Sequence, residues 1–76
     1  MPRYFFDIRD NDALAPDEHR LELADLRAAE VEAANSLADM ARDMPPGTER
    51  HHMAIEVRTA QAPIFTVTYV FQLTRH

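Results

Sequence analysis

Apolar positions along this chain recur every second residue, then every third or fourth, then every second again. Residues 3–9 (RYFFDIR) alternate and are rich in aromatics, which predicts a strand ending at a polar turn. Tyr4, Phe6 and Ile8 fall on its core face, with Arg3, Phe5, Asp7 and Arg9 on the other, where Phe5 is the misfit. Residues 10–19 (DNDALAPDEH) read as a turn or short loop, because Asp and Asn bond their own backbone and Pro16-Asp17 is a second turn signal. The alternating stretch at 20–23 (RLEL) predicts a short strand returning beside the first.

The period then lengthens. Asp25 is the expected N-cap of a helix over 26–44, a stretch dominated by strong helix formers. Leu26, Ala29, Ala33, Leu37, Met40 and Met44 form one apolar stripe, and Pro45-Pro46-Gly47 ends the helix. Residues 52–59 (HMAIEVRT) alternate again, with Met53, Ile55 and Val57 inward. After a turn at Gln61, Ala62 and Pro63, residues 64–73 (IFTVTYVFQL) carry the longest strand signal, with Phe65, Val67, Tyr69, Phe71 and Leu73 on one face.

This order predicts an α+β fold, a short antiparallel sheet in the order β-β-α-β-β with one helix packed on one face, as a single domain over 1–76. One helix covers one sheet face only. The other face would carry Phe5, Ile64 and Val70 among polar groups, and these three are the expected partner interface.

Composition narrows the functions available. A chain of 76 residues buries only roughly 60 % of the surface its unfolded form exposes, so extra stabilisation is expected from packing or self-association. Cysteine is absent, which removes disulfides and thiolate metal sites. Net charge is −5, and the eight arginines are scattered among thirteen acids, so no basic patch offers itself to nucleic acid. Asp7 and Asp10 interrupt the apolar run a secretory signal would need, and no stretch approaches the ~20 apolar residues of a membrane span. The expectation is a cytoplasmic protein with no membrane contact.

The polar residues do not assemble into a reactive set. His51 and His52 are adjacent and point to opposite faces of a strand, His76 is terminal, and His19 lies in the acidic loop, so no metal site is expected. That loop (Asp10, Asp12, Asp17, Glu18) lacks the glycine at the sixth and glutamate at the twelfth position of an EF-hand, where Ala15 and Leu21 stand. Glu30 lies near the edge of the helix stripe and would serve a catalytic role only with a second carboxylate or histidine at a defined spacing. Ser36 has no strand-turn-helix elbow around it, and a single glycine, Gly47, builds no phosphate cradle. A fold this small also leaves little room for a pocket of the usual size. An enzyme is not expected, and no cofactor.

The segments MPRYFFDIRDND, PDEHRLELADLRAAEVEA and IEVRTAQAPIFTV together resemble a family of short, mostly proteobacterial proteins. Its members open with an MPRYFFHVRDG-like strand and pass through a PDxEGxEL-like segment into an alanine-rich helix. The resemblance covers nearly the whole chain. It departs at Asp7, where a histidine is common, and at His19-Arg20, where a glycine is usual. The family is a domain of unknown function, so the resemblance implies the fold and a bacterial origin and carries no catalytic residue. A looser similarity, at the level of fold, is to HicB-type antitoxins, although their glycine-cysteine segment is absent here. That similarity implies an acidic binder of a basic protein.

The expected function is therefore a non-enzymatic interaction domain, acting as a homodimer or on a protein partner through the helix-free sheet face or an edge strand, since the long strand at 64–73 could pair with a copy of itself. The alternative from another class is a ligand- or metal-responsive sensor or enzyme built on Glu30 and the acidic loop.

Overall fold

The zigzag of a strand and the winding of a helix each leave one apolar side, and the computed structural model, which describes residues 2–17 and 20–76, shows how those sides meet. Strand β1 (Arg3–Asp10) turns at Asn11 and Asp12 into the short β2 (Ala13–Ala15). Asn11 has φ 53°, a left-handed conformation that asparagine tolerates better than most residues. Its amide donates to the His52 carbonyl at 2.7 Å, and its side-chain oxygen accepts from the His52 amide at 3.0 Å. The turn is thereby fastened to the neighbouring strand.

Strand β3 (Leu21–Glu22) comes back to the other end of β1, pairing with Arg3 and Tyr4. Helix α1 (Leu26–Arg42) follows, then β4 (Arg50–Arg58) and β5 (Pro63–Gln72). All pairings are antiparallel, and the sheet runs β2-β1-β4-β5, with β3 beside β2 on the same edge of β1. The α+β architecture expected from the sequence is the one observed.

Helix α1 begins where Asp25 accepts the Ala28 amide at 2.9 Å. Asp25→Ala is expected to cost about 0.5–2 kcal/mol, read as a lower urea midpoint, with Asp25→Asn close to wild type. The helix ends at Arg42, two residues before the expected end. Met44 precedes Pro45, and the proline ring disfavours helical backbone at the residue before it. Residues 13–15, expected within a loop, instead form a strand, because the tight turn brings Ala13, Leu14 and Ala15 into register with Asp10, Arg9 and Ile8.

The core lies between α1 and the inner sheet face. Tyr4, Met53, Ile55 and Val57 meet Ala29, Ala33 and Leu37, and Ala29 and Ala33 are fully buried. Alanine at those positions lets the helix backbone come close to the sheet. Phe6, Phe65, Val67 and Tyr69 pack against this cluster but remain half-buried, since one helix cannot span the whole sheet.

Candidate functional site

The two edges of this sheet are built differently. On the β1 side, Tyr4, Phe6, Ile8 and Asp10 direct their backbone groups away from β4, because antiparallel strands turn alternate residues toward alternate neighbours. β3 covers one end of that edge and β2 the other, leaving a gap near Phe6. A carboxylate fills it. The Asp17 side chain accepts the Phe6 amide at 3.0 Å, while the Asp17 amide donates to Asp7 Oδ1 at 2.8 Å.

Asp7 is the buried acid of the molecule among its described residues, at 8 % exposure. It also accepts from Arg58 Nε at 2.7 Å and from Nη2 at 3.4 Å, and Arg58 lies over the Phe5 ring, 4.3 Å from its centroid. Burial pushes the Asp7 carboxyl up, but the hydrogen bonds from Arg58 and the Asp17 amide outweigh it, and the group sits below the ordinary value. The β1 edge is thus occupied by short strands and a clasp of charge.

Among the described residues the β5 edge has no such cover. In the ladder with β4, Leu73 donates to the Glu49 carbonyl at 2.8 Å, so the odd-numbered residues of β5 face β4. Ile64, Thr66, Thr68, Val70 and Gln72 therefore turn their backbone N–H and C=O groups to the open side. Residues 63–74 contain no charged side chain, and Pro63 stands only at the start. Charges, internal prolines and bulges are the usual protection of a free edge, and the one bulge here lies in β4, between Val57 and Arg58. The inner side of β5 carries Phe65, Val67, Tyr69 and Phe71, all half-buried.

The three residues expected from the sequence as an interface share the open face but do not form one patch. Phe5 is half-buried beneath Arg58 on β1, whereas Ile64 and Val70 stand on β5 at 43 % and 62 % exposure. Between them the face carries ion pairs, Arg9 with Glu56 at 2.8 Å and Arg58 with Asp7, and Arg3 pairs with Glu22 at its margin at 3.0 Å.

The other polar residues named from the sequence are dispersed. Glu30 is exposed, 3.8 Å from Arg27, and Ser36 is half-buried on α1. His51 pairs with Asp10 on the inner face, and His52 is exposed on the other. Asp12 is exposed at the hairpin turn, while Glu18 and His19 lie outside the described residues. No group of three or more His, Asp or Glu side chains with metal-binding geometry occurs among the described residues. Clefts among the described residues include one of about 340 Å³ beside Arg3, Phe5, Arg20 and Gln61 and one of about 240 Å³ beside Asp10, Met40, Met44 and His51. The larger sits at the lower end of ordinary ligand-site volumes, more room than the chain length suggests.

The profile of a family described as Domain of unknown function (DUF6894) matches residues 3–70. The chain belongs to this family. The matched span runs from the start of β1 into the last third of β5 and includes both sheet edges, so these belong to the family's domain and not to an appendage. Comparison with curated proteins and with solved structures finds no match. No helix among the described residues is long and apolar enough to cross a membrane.

The sequence revealed the strand at 64–73 but not its standing as an edge, which depends on β4 crossing back between β1 and β5. The available signal was its lack of charge. The Asp7–Arg58 pair left no local signal, since its members are far apart in the chain.

Proposed function

We propose that this DUF6894 domain is a non-enzymatic interaction module whose docking element is the open edge of β5, which accepts an extended strand from a protein partner. The contrast between the two edges carries this reading. One is occupied by β2, β3 and the Asp17 carboxylate, and the other presents a run of backbone donors and acceptors without a guarding charge. Strand addition draws affinity from main-chain hydrogen bonds and specificity from alternate side chains, here Ile64, Thr66, Thr68, Val70 and Gln72.

A non-catalytic role is supported by how the acids and histidine are used. Asp7 holds Arg58 and the Asp17 amide, Glu56 holds Arg9, and Asp10 holds His51. These pairs tie strands together and leave the side chains committed.

The test is a photo-crosslinking diazirine residue placed at Thr68 and, as a comparison, at exposed Asn35 on α1. Illumination in living cells of the host is expected to give discrete adducts from position 68 and none from position 35. Absence of adducts from position 68 would overturn the edge as a docking element.

A further inference from the structure

The geometry points to a second copy of this chain as the strand that β5 accepts, paired antiparallel about a two-fold axis at Thr68. This inference rests on the edge reading above and names its partner.

Symmetry fixes most of the arrangement. Two identical strands meeting edge to edge in antiparallel sense are related by an axis perpendicular to the sheet, so both helices lie on the same side. Residues facing each other must share a sheet face, and the backbone groups available are those of the even-numbered residues. Centring on Thr68 uses the whole exposed set. Thr68 meets Thr68 of the partner subunit, Thr66 meets Val70 of the partner subunit, and Ile64 meets Gln72 of the partner subunit. On the helix side the same register sets Phe65 against the partner's Phe71 and Val67 against the partner's Tyr69. These are the large apolar side chains that one helix leaves half-buried. Self-pairing also suits the chemistry, since an uncharged strand meets an uncharged strand, which an acidic surface would not offer a copy of itself.

The size of the exposed surface agrees. The chain exposes 5487 Å². A globular monomer of 8.7 kDa would expose about 4,700 Å². The excess, roughly 750 Å², matches the area each partner contributes to a stable interface of standard size, about 800 Å². The radius of gyration, 13.7 Å, likewise exceeds the about 11.4 Å expected for this length. The molecule extends 50 × 21 × 17 Å, a narrow body whose sheet a copy paired at β5 would widen.

Light scattering on the full chain is expected to give twice the 8.7 kDa chain mass at micromolar concentration. Two double variants then read the register, both at exposed positions that the fold does not need. Thr66→Lys/Val70→Lys puts like charges opposite each other twice across the axis and should weaken association by about tenfold or more. Thr66→Lys/Val70→Glu puts opposite charges there and should restore dimerisation to within about threefold of wild type. Unchanged circular dichroism in both variants keeps the comparison clean. A wild-type chain that stays monomeric to about 1 mM overturns self-pairing, as does a dimer whose dissociation constant is the same in both variants as in wild type. If the chain is monomeric yet position 68 still crosslinks to another protein, the edge reading stands and the copy as partner falls. If position 68 crosslinks to nothing, both fall.

Discussion

Ile55→Ala is expected to lower stability by about 2–5 kcal/mol, measured as a fall in the urea midpoint with little change in slope. Ile55 is fully buried, at 0 % exposure, midway along β4, between Ile8 and Val67 on the neighbouring strands. It shares the core cluster with Leu37 and with Ala29 and Ala33 of α1, and the small side chains of the two alanines hold the helix backbone close to the sheet. The helix has little room to settle into the cavity, which places the cost toward the upper part of that range. A domain of 76 residues has only about 4–11 kcal/mol in total, so the variant should be partly unfolded at 37 °C. Ile55→Val, which removes one methylene, should cost about 0.5–1.5 kcal/mol. Equal costs for the two variants would mean that the site collapses freely, contrary to the close helix–sheet contact seen here.

The second large effect is expected at Asp7, with a sign that pH reveals. Asp7→Asn keeps the shape but removes the charge that accepts from Arg58 and the Asp17 amide. Loss of charge-assisted bonds at a buried site should cost about 1–3 kcal/mol at neutral pH. The folded-state pKa of Asp7 is lowered from the ordinary 3.8. The folded chain therefore holds this proton less well than the unfolded chain, and stability attributable to the group rises with pH. It is fully present above that unfolded value and is lost as pH falls through the lower folded value. Urea midpoints of wild type and Asp7→Asn should differ most above about pH 5 and converge in stronger acid. A gap that persists unchanged into strong acid would show that packing and not ionisation sets the cost.

The chain displayed its fold with local signals and concealed the contacts that depend on distance. Helix α1 was readable because Asp25, the three- and four-residue stripe and Pro45-Pro46 all act within one segment. The inward sets Tyr4 and Phe6, and Met53, Ile55 and Val57, were readable because a strand has period two whatever its neighbours, whereas Ile8 lies on the same side of β1 but stays 37 % exposed outside the core. β2 was hidden for a physical reason. Ala13, Leu14 and Ala15 have weak strand propensity, and what pairs them is the left-handed Asn11 fastened to His52. On the open face, Phe5 reads as a stray apolar group, and its cover by Arg58 depends on a residue far along the chain. The edges of the sheet were least legible of all. Which strand is terminal follows from strand order, and nothing within residues 63–72 records it except their lack of charge.

The clasp formed by Asp17 has a consequence for how far assembly can run. A sheet with two usable edges grows without limit, adding strands from copy after copy into a fibre. Here the Phe6 amide is already satisfied by a carboxylate, and the lengths of β1 on either side of it are taken by β2 and β3. If β5 pairs as proposed, growth meets on the far side of each copy a β1 edge that is already occupied, and only the short outer edges of β2 and β3 are left to it. The Asp17 carboxylate thus withholds from β1 the backbone pairing through which such an assembly would extend.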